Sequence, residues 1–242
     1  INTKEIAKGD IFFAFKGKKN DGHNFVKDSL KKGAVAAVVE RKMNIKKSRK
    51  ILRVKNVKKS LNDLSRCTRN ISDAQFIAIT GSSGKTTTKN LIAYLLKNFG
   101  KVVKSPKSFN NFLGVPISIS NIKDSTNYAV LELGMSRKGE IHKLSKLASP
   151  DVGLITNIGQ AHLENFKNSK QIARAKSELI GNINKKGFVI LNKDDEYFNF
   201  LKKCADQKKI KVVSFGLQKG DLFIQKIVKI KNYYKIKISV FN

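Results

Sequence analysis

The run Ile77-Ala-Ile-Thr-Gly-Ser-Ser-Gly-Lys-Thr-Thr-Thr-Lys89 constrains this chain most: an apolar stretch feeds a glycine loop that ends in Lys-Thr and opens a helix. Gly81 and Gly84 allow a tight turn whose backbone N–H groups point inward, where they and the positive end of the following helix attract phosphate oxygens. In that reading Gly81, Ser82, Ser83, Gly84, Lys85, Thr86 and Thr87 form a nucleotide cradle. Lys85 reaches the terminal phosphates and the Thr86 hydroxyl sits on a magnesium ion. The loop is shorter than the general pattern, which would put its first glycine at Ile79. Its context fits: Gln75 to Thr80 reads as a buried strand, and Leu91, Ile92, Leu95, Leu96 and Phe99 as an apolar helical face that stops at Gly100.

Around that unit the chain divides. Residues 1–74 read as a small α/β domain, with strands at Asp10–Phe15, Ala34–Val39 and Ile51–Val54 and helices at Asn24–Lys32 and Ser60–Ile71. Residues 75–242 alternate strand and helix in the manner of a P-loop type, mostly parallel, doubly wound sheet, with strands expected at 76–80, 128–133, 152–156, 188–191 and 212–215. Ligands of such sheets sit beyond the carboxyl ends of the strands. The residues just past each strand, 81–86, 132–134, 157–162 and 192–195, are therefore expected to share one cleft.

Composition narrows the class of partner. Lysine and arginine number 49 against 18 acidic residues, a formal charge of +31 that would normally suggest nucleic acid or an anionic membrane. Here the excess is lysine spread along the chain, with no aromatic-interleaved basic stripe, so no specific nucleic-acid partner is expected; the charge steers anionic nucleotides instead. No apolar run approaches the roughly 20 residues that span a bilayer, and no signal-peptide pattern opens the chain. Cys67 and Cys204 lack CxxC partners and read as idle thiols of a cytoplasmic protein, taken as a monomer. The absence of an initiator methionine suggests a fragment.

Single residues beyond the loop carry less. Glu132 ends an apolar strand, where a carboxylate needs a cation or a good hydrogen-bond network, and nucleotide-bound magnesium is an apt cation. His162 alone reads best as a satisfied loop histidine, because magnesium prefers oxygen donors. Lys176 reads as one more helix lysine, and Asn110-Asn111 before Gly114-Val-Pro116 as a polar turn into a helix.

Taken together, Gly-x-x-Gly-Lys-Thr-Thr (81–87), Phe-Asn-Asn-x-x-Gly-Val-Pro (109–116), Glu-x-Gly-Met (132–135), Thr-Asn-Ile-Gly-x-Ala-His-Leu-Glu (156–164), Ala-x-Ala-Lys-x-Glu (173–178) and Leu-Asn-x-Asp-Asp (191–195) resemble the Mur ligases of peptidoglycan synthesis. Gly9–Gly17, Asp21-Gly-His-Asn-Phe25 and Phe109-Asn-Asn111 favour the branch that joins D-alanyl-D-alanine to UDP-N-acetylmuramoyl-tripeptide. The resemblance implies an ATP- and Mg2+-dependent amide ligase working through an acyl phosphate. It implies Lys85, Glu132, His162 and Lys176 as catalytic residues, and Thr86, Glu132, His162 and a carbamylated Lys176 on magnesium. It also implies Asn192 near the adenine, and Thr3, Asn110 and Asn111 facing substrate. Residues 1–74 would bind the UDP-muramoyl substrate, although Lys4 stands where arginine is usual and weakens a bidentate contact. The family continues past residue 242 into a further domain, so the 242 residues alone are expected to be inactive. The rival readings are another Mur ligase, a folylpolyglutamate synthase-like ligase, and a non-catalytic nucleotide-binding module.

Overall fold

A computed structural model describes residues 5–17, 20–44, 48–160 and 165–241 of the chain. Thr3 and His162 lie outside the described residues. The chain forms two compact units, 1–65 and 66–242.

In the first unit, β1 (Ile11–Phe13), β2 (Ala36–Val39) and β3 (Ile51–Arg53) make a parallel sheet in the order β1-β2-β3. Helix α1 (Val26–Lys31) links β1 to β2 and is entered through a 3-10 turn at Gly22–Phe25, so the expected single helix is two pieces. Phe12, Ala14, Val26, Ala34, Ala37 and Val39 fill the small core. The buried His23 braces it: Nδ1 lies 2.6 Å from Asp21 Oδ1, and Nε2 accepts from Glu40 N at 3.0 Å. Accepting at Nε2 leaves the proton on Nδ1, where it bonds Asp21. The segment 21–25 is thus explained locally by folding.

Helix α2 (Val57–Ile71) carries the chain across the division. It starts three residues before the expected Ser60 because the Asn56 side chain accepts from Lys59 N at 2.7 Å, a local cap. The division itself falls at Ser65/Arg66, not near residue 74. Arg69 accounts for the shift: its guanidinium donates to Ala148 O (2.9 Å) and Ser149 O (2.8 Å) and stacks 4.1 Å from the Phe76 ring, so the last turns of α2 belong with the second unit.

That unit is built on β4 (Gln75–Thr80), followed by α3 (Lys85–Leu96), β5 (Val102–Lys104), α4 (Gly114–Ser120), β6 (Tyr128–Glu132), α5 (Glu140–Ala148) and β7 (Val152–Ile155). Then come α6 (Ser169–Ser177), β8 (Phe188–Asn192), α7 (Phe198–Gln207), β9 (Lys211–Gly216), β10 (Leu222–Ile230) and β11 (Tyr233–Val240). The sheet order is β11-β10-β9-β8-β7-β4-β6-β5, parallel apart from the β10/β11 hairpin. The winding reverses at β4, which lies between β6 and β7, so the crevice opens at the loop after β4.

Alternation along β4 feeds two cores. Phe76 and Ala78 join residues of α4, α5, α6 and α7 on one face, while Ile77 and Ile79 meet Ala93, Ile92 and Leu96 of α3 on the other. The apolar face expected on α3 is accordingly narrower. Leu91, Leu95 and Phe99 are exposed, because the stripe of α3 that packs on the sheet runs through Lys89, Ile92, Ala93 and Leu96 instead. The short edge strand β5 and the hairpin were not expected. The hairpin hides among lysines, yet Lys235-Ile-Lys-Ile-Ser-Val240 alternates with the period of a strand. No helix among the described residues is long and apolar enough to cross a membrane, and both cysteines are free.

Candidate functional site

The loop after β4 turns on two glycines with distinct duties. Gly84, at φ +78°, sets the left-handed step before α3. Gly81, at φ +152°, passes so close to Thr156 that a Cβ there would lie 1.8 Å from its Oγ1. Ser82 and Ser83 are braced from the loop after β7. Ser82 N donates to Asn157 O (3.0 Å), Ser83 N to Asn157 Oδ1 (3.0 Å), and Asn157 Nδ2 to Ser83 Oγ (2.8 Å). Thr156 Oγ1 donates to Ser83 O (2.6 Å), and Ser82 Oγ accepts from Gly159 N (2.8 Å). This amends the expectation that all the loop's N–H groups point inward. Those of Ser82 and Ser83 are committed to Asn157, and an anion is left the first turn of α3, whose N–H groups have no intrahelical acceptor.

Lys85 opens that turn. Its Nζ donates to Gly81 O (2.8 Å) and Ser82 O (3.3 Å), and burial lowers its pKa while Glu132 works in the opposite direction. One residue on, Thr86 Oγ1 donates to Glu132 Oε2 at 2.8 Å. Thr87 is exposed in the same turn.

Glu132, only 1% exposed, ends β6 directly beside β4. Its Oε1 accepts from Asn110 Nδ2 (2.9 Å), and its backbone N donates to Ser105 Oγ (3.2 Å). Lys89 Nζ stands 3.4 Å from Oε2. The neighbouring Asn111 is occupied otherwise: its Oδ1 accepts from Leu113 N (3.1 Å) and Gly114 N (3.0 Å) in the turn that leads into α4.

Lys176 comes from α6 on the sheet face opposite α3 and is 2% exposed. Burial, and secondarily the charge of Lys85, lowers its pKa to about 7. Glu178 fixes this end of α6, with Oε1 accepting from Gly139 N (2.9 Å) and Oε2 from His142 N (3.0 Å) at the start of α5.

A cavity of about 510 Å³ gathers Lys85, Thr86, Asn110, Asn111, Glu132 and Lys176, with Met135, Glu140 and Phe112 also in its wall. Asn192 is not among them. It ends β8, donates to Thr156 O (3.5 Å), accepts from Asp194 N (3.0 Å), and lines a second, more apolar cavity of about 480 Å³ with Phe215, Leu217 and Leu222. The neighbouring Asp195 accepts from Ile158 N at 2.6 Å and so braces the loop after β7.

Sequence reasoning gave no role of their own to Lys89 and Glu140, and placed Asn157 at the cleft and Glu178 in a motif without seeing the hydrogen bonds they make. Lys89 had a readable signal: with Ile92, Ala93 and Leu96 it occupies i, i+3, i+4 and i+7, a lysine on the buried stripe. Oxygen donors at Thr86 and Glu132 suit a hard cation such as Mg2+. Among the described residues no group of three or more His, Cys, Asp or Glu could hold a metal unaided.

The family model described as "Mur ligase middle domain" matches residues 79–241, and "Mur ligase family, catalytic domain" matches residues 1–83. The UDP-N-acetylmuramoyl-tripeptide--D-alanyl-D-alanine ligase of Rickettsia prowazekii is 38% identical over 217 residues, 89% of this chain and 48% of the relative. The crystal structure of MurF from Acinetobacter baumannii superposes with a TM-score of 0.86 at 33% identity, over 99% of this chain and 52% of that one. MurF from Thermotoga maritima, in complex with ADP, gives 0.83 at 33% identity, over 99% and 55%. The chain spans about half the length of the curated relatives it matches. With both family models laid along it and a third of its residues shared across nearly its whole length, the chain belongs to the Mur ligase family.

Proposed function

We propose that this chain carries the nucleotide and acyl-activation centre of an ATP-dependent ligase that joins D-alanyl-D-alanine to UDP-N-acetylmuramoyl-tripeptide in cytoplasmic peptidoglycan precursor synthesis. The observation that carries this reading is the convergence of Lys85, Thr86, Asn110, Glu132 and Lys176 on one cavity at the reversal point of the sheet. The names of the relatives and the ADP bound to the Thermotoga protein support it.

In this reading the first turn of α3 and Lys85 hold the β- and γ-phosphates of ATP. Thr86 and Glu132 would hold Mg2+, which when bound would supply neutralisation of charge on the phosphates. The terminal carboxylate of the tripeptide attacks the γ-phosphorus, ADP leaves, and an acyl phosphate forms. The amine of D-alanyl-D-alanine then attacks the acyl carbon, and phosphate departs with formation of the amide. Lys85 and the helix turn stabilise the charge that grows on the equatorial oxygens, so positioning and electrostatics supply the rate without a nucleophilic side chain.

Lys176 takes a second part. An amine that titrates at about 7 is substantially neutral in the cell and adds CO2, with loss of one proton, to give an anionic carbamate whose oxygens suit a hard cation. His162 is assigned to a second cation, Asn192 to the adenine side, and Thr3, Asn110 and Asn111 to substrate. Residues 1–74 are assigned the UDP-muramoyl moiety, and the chain is taken to act as a monomer.

Calorimetric titration of Mg-ADP into the wild-type chain and Lys85→Ala tests the reading. Loss of affinity of about a hundredfold is expected on removing a charge-assisted phosphate contact. Equal affinity in the two proteins overturns it.

A further inference from the structure

Lys89 sits one helical turn beyond Lys85 and is 1% exposed. Its ammonium donates to Lys107 O and stands 3.4 Å from Glu132 Oε2. It does not line the cavity, so it cannot meet a nucleotide there and acts only through what it touches. A buried ammonium is costly unless a carboxylate compensates it, and the converse holds for Glu132, which is equally buried. The other side-chain contacts of Glu132, from Thr86 Oγ1 and Asn110 Nδ2, are neutral. Its close ion pair is therefore made from behind, by Lys89, while Lys85 attracts it only at longer range from the cavity side.

We propose that Lys89 is the resident counter-ion of Glu132 and sets the order of assembly. By cancelling the carboxylate it keeps the affinity for a free divalent cation low, so that the cation enters on the phosphates of the nucleotide. This rests on the reading of Glu132 as a cation ligand. Three observations converge on it. The ion pair is sealed from solvent, where salt does not screen it. The described residues offer no acidic cluster that would capture a bare cation. Lys85, in the same cavity wall, repels such a cation further until phosphate neutralises it. Lys89 also ties the strap after β5, through Lys107 O, to the carboxylate that Asn110 reaches. It is a positioning residue, not a contact residue.

The test is titration of Mn2+, followed by its electron paramagnetic resonance signal, into nucleotide-free wild type, Lys89→Met and Lys89→Met/Glu132→Gln. Lys89→Met is expected to bind free Mn2+ at least about tenfold more tightly than wild type, since a buried like charge is removed. The double variant is expected to lose that gain. An unchanged or weaker affinity in Lys89→Met, or a gain that persists without Glu132, overturns the proposal. Lys89→Gln serves as a second variant that keeps a donor for Lys107 O without the charge, and the same tightening is expected. Should both variants unfold in cation-free buffer, excess Mn2+ must restore the native circular dichroism spectrum, and failure to do so overturns the proposal. Wild type that binds Mn-ADP while Lys89→Met shows no gain refutes this inference alone. Wild type that does not bind Mn-ADP refutes the nucleotide reading and this inference with it.

Discussion

Asn157 grips Ser83 at two points, accepting from its backbone N at 3.0 Å and donating to its Oγ at 2.8 Å. The glycine loop after β4 is therefore shaped by a side chain from the neighbouring strand's loop as well as by its own glycines. Asn157→Ala removes both bonds and is expected to weaken Mg-ADP binding by up to about thirtyfold, since two neutral hydrogen bonds contribute about 1 kcal/mol each. Hydrogen exchange at the amides of residues 82 and 83 should rise in parallel. Unchanged exchange there would show that the loop holds its form without this clamp.

A methyl at residue 81 has nowhere to go. Gly81→Ala places Cβ within 1.8 Å of Thr156 Oγ1 on a backbone that L residues rarely adopt. Destabilisation of roughly 3 kcal/mol is expected, measured by urea unfolding. Thr156→Ala in the same chain should return part of that loss, a coupling that a double-mutant cycle isolates. Additive effects would separate the two residues.

The amine of Lys176 gives a pH signature. Its folded pKa, about 7, lies below its ordinary value of 10.5. Between those values the unfolded chain holds a proton that the folded chain has released, so this group makes stability rise with pH across that window. The cost of burying the charged amine is fully present below about pH 7. In CO2-free buffer the stability of wild type relative to Lys176→Met should climb by up to about 1.4 kcal/mol per pH unit from pH 7 towards pH 10. A flat difference would place the amine in an environment close to water.

Arg69 joins the end of α2 to the second unit through Ala148 O, Ser149 O and the Phe76 ring. These carbonyls close the carboxyl end of α5, where a cation also meets the helix dipole favourably. Arg69→Ala is expected to cost roughly 2–3 kcal/mol by guanidinium chloride unfolding. Arg69→Lys should recover only a minor part, because an ammonium cannot reproduce the planar fork or the stacking.

Much of the fold was legible because hydrophobic period and punctuation agree along β4, β6, β7 and β8, where apolar runs end in glycine or polar turns. The hairpin of β10 and β11 was not, since its lysines alternate with apolar residues and were read as compositional excess. Within the site, Lys85, Thr86 and Glu132 were readable from the loop pattern and from a carboxylate at a strand end. Lys176 was not readable on its own, because a helix lysine carries no sign of burial until α6 is packed on the sheet. The bracing by Asn157 and Asp195 depends on which strands become neighbours, and strand order is a property of the assembled sheet.

Three elements meet at the two oxygens of Glu132: Thr86 and Lys89 from α3, Asn110 from the turn before α4, and the carboxylate itself from β6. Drift at these positions is consequently not independent. A relative that replaced Lys89 by a neutral residue would be expected to carry a matched change at 132 or 110, so these positions should vary together across descendants of a common ancestor.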